Sequence, residues 1–140
     1  MASRRGGCLC EAIEYEISGE IGPIGHCHCV QCRKSNAAAF ATTARVAGRD
    51  FRWTRGEASL RAFESSPGKQ RFFCGICGSQ LIAAWDHESE VILRLGSLID
   101  DPGSTPVVHI WTAEKASWFE IGDDLPQLPR GVRPKGAPNE

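Results

Sequence analysis

The stretches Cys27-His28-Cys29-Val30-Gln31-Cys32 and Cys74-Gly75-Ile76-Cys77-Gly78 decide the fold of this chain. Together with Cys8-Leu9-Cys10, they hold all seven cysteines. An odd number of cysteines cannot form a complete set of disulfides, and cysteines that only fill a core would not cluster in this way. Clustered thiolates bind zinc, iron–sulfur clusters or monovalent copper. Because the spacing of the common ferredoxin motifs is absent, the clusters predict zinc.

The two Cys-x-Cys pairs suit an extended backbone. Residues i and i+2 of a strand point to the same face, so Cys8 and Cys10 can offer two sulfurs to one ion, and so can Cys27 and Cys29. If the second stretch is extended, His26 faces away from the sulfurs of that pair, and so does the histidine between the two cysteines.

The stretch Cys74-Gly75-Ile76-Cys77-Gly78 is typical of a tight metal-binding knuckle. Its glycines let backbone N–H groups turn toward the sulfurs, and Gly78 permits a positive φ directly after the second ligand. The competing interpretation of Cys74 and Cys77 is a thioredoxin-like redox pair. That motif belongs near a βαβ pattern, which this sequence lacks.

Seven thiolates divide most naturally into four and three. Structural zinc sites close with four protein ligands, whereas catalytic sites keep three and leave one position open. The knuckle needs two partners, and the pair at positions 8 and 10 supplies them. The compact trio Cys27, Cys29 and Cys32 then stands alone. A closed site completed by His26 or His28 remains the alternative for this trio.

Length and charge exclude several classes of protein. The chain has 140 residues, 15.2 kDa and a formal net charge of −1, which fits one domain and removes the electrostatic case for nucleic-acid binding. The apolar runs are too short to cross a membrane. The chain shows no secretory signal, and its clustered cysteines are expected to be reduced metal ligands. We therefore expect a cytoplasmic protein.

The rest of the sequence predicts a mainly β fold. Apolar and polar residues alternate in nine short segments that Gly, Pro and Asp separate: residues 13–17, 40–46, 50–54, 60–64, 70–73, 80–85, 90–95, 107–111 and 118–121. The best short helix is Arg33 to Ala39. Trp53, Trp85 and Trp118 are expected in the core. We assign residues 1–128 to a single zinc-binding domain and residues 129–140 to a flexible Pro-rich tail.

These features resemble the glutathione-dependent formaldehyde-activating enzyme family, which also includes centromere protein V. The matching pieces run in order from Gly6 to Leu128: Gly6-Gly7-Cys8-Leu9-Cys10, Cys27 to Lys34, Phe40, Phe51, Trp53, Gly56, Arg71 to Ser79, Gly96 to Asp101, His109-Ile110-Trp111, Trp118 and Leu125-Pro126. The resemblance implies a tent-like fold of two β-sheets. It also implies two zinc ions, a structural zinc on Cys8, Cys10, Cys74 and Cys77 and a catalytic zinc on Cys27, Cys29 and Cys32.

Two positions depart from the family pattern. Glu11 stands where the family usually has glycine after the second cysteine. Asn36-Ala37 replaces a turn before Phe40 that usually contains glycine, beside the predicted active site.

The resemblance implies an enzyme of carbon–sulfur bond chemistry, a lyase. In the family's named reaction, the sulfur of glutathione attacks formaldehyde and S-hydroxymethylglutathione forms. Three thiolates make the open zinc electron-rich, which suits it to holding the thiolate of a small-molecule substrate, because zinc deprotonates a coordinating thiol. Glutathione carries two carboxylates, so Arg33, Lys34 and Arg71 are the candidate substrate-binding residues. The alternative function is a non-catalytic, zinc-stabilised protein-binding module.

Overall fold

The computed structural model describes residues 3–131 of the chain, and these form two β-sheets and one α-helix. The smaller sheet has three antiparallel strands in the order β1-β2-β5. Their bounds are β1 Arg4–Gly7, β2 Glu14–Ile17 and β5 Phe51–Arg55. Within the described residues, no helix is long and apolar enough to span a membrane.

The larger sheet has seven strands in the order β10-β3-β4-β9-β8-β7-β6. All neighbours are antiparallel except β10 and β3, which are parallel. The bounds are β3 Ile24–Cys27, β4 Ala41–Ala47, β6 Leu60–Ser66, β7 Lys69–Cys74, β8 Gln80–Trp85, β9 Glu90–Arg94 and β10 Pro106–Ile110. The expectation of a mainly β, two-sheet fold with at most short helices is therefore confirmed.

The main core lies between the two sheets. Strand β2 contributes Tyr15 and Ile17 and the residue before it is Ile13, all three completely buried, and the larger sheet contributes Leu81 and Leu93. The Tyr15 hydroxyl group lies 2.6 Å from the hydroxyl oxygen of Ser97, so the one polar atom of this large buried side chain has a partner. The alternation predicted for residues 13–17 therefore faces the core with its apolar side.

The opposite face of the larger sheet carries charge. Side chains alternate between the two faces of a strand, so Arg94 shares this face with Ile92, and Lys69 shares it with Arg71. All three cations are buried, with no more than 5% of their surface exposed. The helix α1 (Val30–Asn36) lies on the same side, because Arg71 contacts its side chains. Three buried cations on one sheet face are unusual, and they surround the second cysteine cluster.

The helix begins three residues earlier than the sequence predicts. Cys29 is its N-cap, and the Sγ atom of Cys29 accepts a hydrogen bond from the backbone N–H of Cys32 at 3.3 Å. The helix ends where Ala37 adopts a left-handed conformation. Intrinsic propensity placed the helix on the Lys- and Ala-containing segment, but the cysteine cap sets where it starts.

Two expectations outside the sheets are wrong. Trp118 is not a core residue, because 70% of its surface is exposed, and residues 118–121 do not form a strand. The segment that follows β10 instead folds back along that strand. There Gln127 forms a bridge with His109, and the backbone N–H of Trp111 donates to the carbonyl of Arg130 at 3.3 Å. The predicted flexible tail, residues 129–140, lies mostly outside the described residues and stays a prediction.

Candidate metal centres

The first cysteine cluster joins the two sheets. Cys8 and Cys10 lie in the turn between β1 and β2, whereas Cys74 and Cys77 lie at the connection from β7 to β8. The four Sγ atoms all lie within 4.8 Å of one another, with separations of 3.6 Å between Cys8 and Cys10 and 3.8 Å between Cys10 and Cys74. Four sulfurs about 2.3 Å from a tetrahedral zinc would lie about 3.8 Å apart. The donor set and its spacing therefore fit a metal ion.

Backbone and hydroxyl donors surround these sulfurs. The N–H of Ile13 donates to the Sγ atom of Cys8 at 3.2 Å, and the N–H of Ile76 donates to that of Cys74 at 3.4 Å. The hydroxyl group of Ser79 lies 3.2 Å from the Sγ atom of Cys77, and this contact, together with backbone N–H groups, lowers the pKa of Cys77 to about 5. Donors directed at sulfur favour the thiolate, which is the form that binds metal.

The second cluster forms where β3 leads into α1. Cys27 is the last residue of β3, Cys29 caps the helix, and Cys32 lies in its first turn. Their Sγ atoms also lie within 4.8 Å of one another. Cys27 and Cys32 are buried and Cys29 is half-buried. The cluster opens into a cleft of about 400 Å³. The cleft is lined by Cys27, Cys29, Val30, Gln31, Lys69, Trp111 and Glu114.

The histidines beside this cluster point elsewhere. The Nε2 atom of His28 lies 2.8 Å from the Nδ1 atom of His109, whose Nε2 atom lies 2.9 Å from a carboxylate oxygen of Asp123. His26 lies 2.9 Å from the hydroxyl oxygen of Thr42. Burial, followed by the charge of His109, lowers the pKa of His28 to about 4. Among the described residues, no histidine belongs to the cluster, so the alternative site closed by His26 or His28 does not form.

Arg71 lies directly against the second cluster. Its guanidinium group donates to Ser65 at 2.9 Å, to Gln31 at 3.2 Å and to Ser35 at 3.3 Å, and it also contacts the Sγ atom of Cys32 at 4.0 Å. The three hydrogen bonds fix the plane of a side chain that is only 3% exposed. The structure thus places this predicted substrate-binding residue beside Cys32, with its nitrogens occupied by neutral oxygens.

The other two predicted substrate-binding residues belong to α1 but have different surroundings. Lys34 is exposed and lines a cleft of about 510 Å³ together with Arg71, Phe63 and Phe73. Arg33 is half-buried, and its charge acts on His28, which lies away from the sulfurs. The structure therefore brings Lys34 and Arg71 to one cleft and leaves Arg33 apart from them.

Sequence reasoning missed Arg94. This residue ends the apolar run of β9 and is 5% exposed, and its charge acts on the sulfurs of all three cysteines of the second cluster. Burial lowers the pKa of Arg94. The only sequence signal was its register with Ile92, which places a cation on the buried side of a strand.

The pKa values of the thiols in the second cluster shift in different directions. Hydrogen bonds from Cys27 and Cys29, together with the charges of Arg94 and Arg71, lower the pKa of Cys32. Hydrogen bonds to the two neighbouring sulfurs and burial raise the pKa of Cys27. The lowered pKa favours the thiolate form of Cys32, and the two guanidinium groups stabilise that negative charge. Softness of the ligands, charge and spacing all fit a divalent metal ion.

Three non-glycine residues adopt the left-handed conformation close to these clusters. Glu11 has φ 66° next to the first cluster, and Ala37 has φ 50° at the end of α1. These positions include both departures from glycine noted in the sequence, so the side chains stand where the backbone favours glycine. Trp111, with φ 56°, lines the cleft of the second cluster. Bulky residues held in this region cluster at active sites and ligand-binding loops, so Trp111 is a candidate residue of the cleft.

Comparisons with known proteins agree with this architecture. The family model described as glutathione-dependent formaldehyde-activating enzyme matches residues 3–114. Among solved structures, a crystal structure of a Rhodobacter sphaeroides protein is 24% identical to this chain, with a TM-score of 0.59, and the match covers 73% of this chain and 97% of that one. At this identity the likeness shows the fold alone. No curated protein matches the chain. Because the family model spans most of the sequence, the chain belongs to the glutathione-dependent formaldehyde-activating enzyme family.

Proposed function

We propose that this protein is a zinc-dependent enzyme of the carbon–sulfur lyase class that joins a small-molecule thiol to an aldehyde. In the reaction that the family name indicates, glutathione and formaldehyde give S-hydroxymethylglutathione. One observation carries the proposal: three cysteine sulfurs converge at a cleft with no fourth protein ligand among the described residues. Closed structural sites use four protein ligands, so three leave room for a substrate atom.

The two clusters would serve different purposes. Cys8, Cys10, Cys74 and Cys77 would hold a structural zinc that joins the sheets, and Cys27, Cys29 and Cys32 would hold the catalytic one. A zinc ion on three thiolates supplies an open position at which a substrate thiol loses its proton. The choice of zinc rests on thiolate donors and on the absence of ferredoxin spacing.

The chemical step needs little from the protein beyond position. The thiolate sulfur of glutathione attacks the carbonyl carbon of formaldehyde, a carbon–sulfur bond forms, and the electron pair of the C=O π bond moves to oxygen. That oxygen takes a proton from water to give the hydroxymethyl group. In reverse, the hydroxyl group loses its proton and the carbon–sulfur bond breaks. The chain's contribution is to hold the thiol in the cleft in its anionic form.

The side chains of the cleft would keep that sulfur anionic. Arg71 contacts the Sγ atom of Cys32, and Arg94 acts on the same sulfurs, so both favour negative charge at this place. We assign Arg71 the additional role of a positioning residue for Cys32. Lys34 and Arg33 lie nearer the surface, where they would attract the two carboxylates of glutathione.

The setting of the reaction follows from the same groups. All seven cysteines are free, and thiolate ligands persist in a reducing compartment such as the cytoplasm. With a formal net charge of −1, the partner we propose is a small thiol rather than a nucleic acid.

The test is a rate above the spontaneous reaction, because thiols add to formaldehyde without assistance. Exchange between glutathione, ¹³C-formaldehyde and the adduct can be followed by NMR, with zinc measured in the same samples. We expect the exchange rate to rise in proportion to wild-type protein and to return to background in Cys29→Ser. A protein that carries two zinc ions and gives no acceleration would contradict the enzyme and favour the non-catalytic binding module.

A further inference from the structure

A cavity of about 640 Å³ lies between the two cysteine clusters. Cys8 and Ser79 border it at the first cluster. At the other end it reaches Ser35 in α1 and Ala41 in β4, and Ala41 packs against two cysteines of the second cluster. A molecule in this cavity would therefore lie close to the predicted reaction centre without occupying the sulfur-lined cleft itself.

Two residues that border this cavity carry buried polar atoms without partners. Arg94 borders it, and the Nε and Nη2 atoms of this guanidinium group are buried and donate to no hydrogen-bond acceptor among the described residues. The Oε1 atom of Gln80, which borders the same cavity, is also buried without a partner. A buried donor that is left unpaired costs free energy, and a buried charge costs more. The two nitrogens of Arg94 are therefore prepared for a ligand that supplies acceptors, whereas the Oε1 atom of Gln80 needs a donor.

Arg71 and Arg94 differ in how many hydrogen-bond partners their guanidinium groups have. Both arginines lie on the same face of the sheet, and both are at least 95% buried. Arg71 gives its nitrogens to Ser65, Ser35 and Gln31 and needs no further acceptor. Arg94 keeps two adjacent N–H groups free on one side of its planar fork. Two neighbouring guanidinium donors match the two oxygens of a carboxylate.

We propose that Arg94 binds a carboxylate of the thiol substrate in this cavity, with its Nε–H and Nη2–H groups donating to the two oxygens. This inference rests on the proposed function and makes it more specific: the enzyme accepts thiols that carry a carboxylate within reach of their sulfur. An extended tripeptide spans roughly 10 Å, which is enough to leave the sulfur of glutathione at the second cluster. A thiol without a carboxylate would lose this contact.

The test uses binding rather than turnover. Arg94→Gln and Arg94→Lys are compared with the wild-type protein and with Arg52→Gln, a matched control on the exposed surface, where Arg52 pairs with Glu16 at 2.7 Å. The probes are glutathione, S-methylglutathione and the diester of S-methylglutathione, in which both carboxylates are blocked. Calorimetry gives the Kd of each pair, and elemental analysis and melting temperature confirm that metal content and folding are retained.

We expect Arg94→Gln to raise the Kd of glutathione and of S-methylglutathione at least about tenfold, since hydrogen bonds between charged groups are lost. Arg94→Lys should recover part of the loss, because charge returns without the fork. The diester should bind wild type and Arg94→Gln equally, and Arg52→Gln should match wild type throughout. Unchanged binding of the carboxylate probes to Arg94→Gln, no binding of them to wild type, or an equal loss with the diester would overturn the inference.

Two further readouts keep this result separate from the proposed function. In wild-type protein, the Nε–H resonance of Arg94, assigned from its absence in Arg94→Lys, should shift with S-methylglutathione and stay unchanged with the diester. If the chemical shift of this resonance does not change when S-methylglutathione is added, the inference is overturned even if the variants fail to fold. The methylated probe has no thiol, so it reports on the carboxylate site alone. If the wild-type protein binds this probe through Arg94 but does not accelerate formaldehyde exchange, the proposed enzymatic function is refuted and the carboxylate site is retained.

Discussion

The same substitution made in each cysteine cluster should have unequal effects on stability. Cys77→Ser removes one sulfur of the first cluster, and Cys29→Ser removes one of the second. Serine is a good match in both places. At position 77, serine can keep the contact with Ser79. At position 29, serine is a strong helix N-cap that can still accept a hydrogen bond from the N–H of Cys32. The two variants therefore differ mainly in what the lost metal ligand connected.

The structure sets the expected magnitudes. A metal on the first cluster links Cys10 to Cys74 across 64 positions of the chain and ties the smaller sheet to the larger one. If a metal link constrains the unfolded chain as a disulfide does, a loop of this length contributes about 4 kcal/mol. The second cluster spans only the stretch from Cys27 to Cys32, for which the same relation gives about 2 kcal/mol. For a chain of this size, each 1 kcal/mol corresponds to roughly 3 °C in melting temperature.

Differential scanning calorimetry of metal-loaded proteins measures both values. We expect Cys77→Ser to lower the melting temperature by about 12 °C and Cys29→Ser by about 6 °C or less. Cys29→Ser should remain folded and still lose the formaldehyde exchange activity. Chelation of the wild-type protein should lower the melting temperature at least as far as Cys77→Ser does. Equal losses in the two variants, or a larger loss in Cys29→Ser, would refute the division into a structural and a catalytic centre.

Three other predictions follow from particular residues. Protein purified without chelator should contain two zinc ions per chain by elemental analysis, and the second cluster should lose its ion first on dialysis, because it has one fewer protein ligand; a single zinc bound to undamaged protein would contradict this. Ala37→Gly should raise the free energy of unfolding by roughly 0.5–1 kcal/mol in urea titrations, because it relieves a left-handed alanine at φ 50°, and Ala38→Gly, whose position has no positive φ, should not stabilise. Glutathione should bind more tightly than S-methylglutathione in calorimetry, because a thioether cannot become a thiolate; equal affinities would mean that the sulfur is not captured.

The cysteine pattern predicted the two clusters because their geometry is local. A Cys-x-Cys pair in extended backbone and a Cys-x-x-Cys knuckle each place two sulfurs on one side without help from the rest of the chain. The pairing of Cys8 and Cys10 with Cys74 and Cys77 then followed from the need for four ligands, and the structure brings these four sulfurs together. Strand β8 was predicted with its observed bounds, since alternation and turn residues mark its two ends.

The residues that sequence reasoning misplaced depend on contacts between distant segments. Trp118 looked like a core residue by type, yet no layer of the fold covers it, and 70% of its surface is exposed. Arg94 is the last residue of β9, yet only 5% of its surface is exposed, and its charge acts on the sulfurs of the second cluster. Whether a cation at a strand end faces solvent or a cavity depends on which segments pack over it, and no local pattern records that.

The two clusters also differ in how their negative charge is balanced, which fits the different roles proposed for them. Around the first cluster, the donors to sulfur are backbone N–H groups and the hydroxyl group of Ser79, and Cys10 is exposed, so solvent can share the charge. The second cluster is more deeply buried, and Arg71 and Arg94 compensate it with full positive charges. Three thiolates with a divalent ion leave one negative charge, and a bound substrate thiolate would add another. Two guanidinium charges beside the second cluster would match the net charge of that complex, which fits the proposal that this site accepts a further anion.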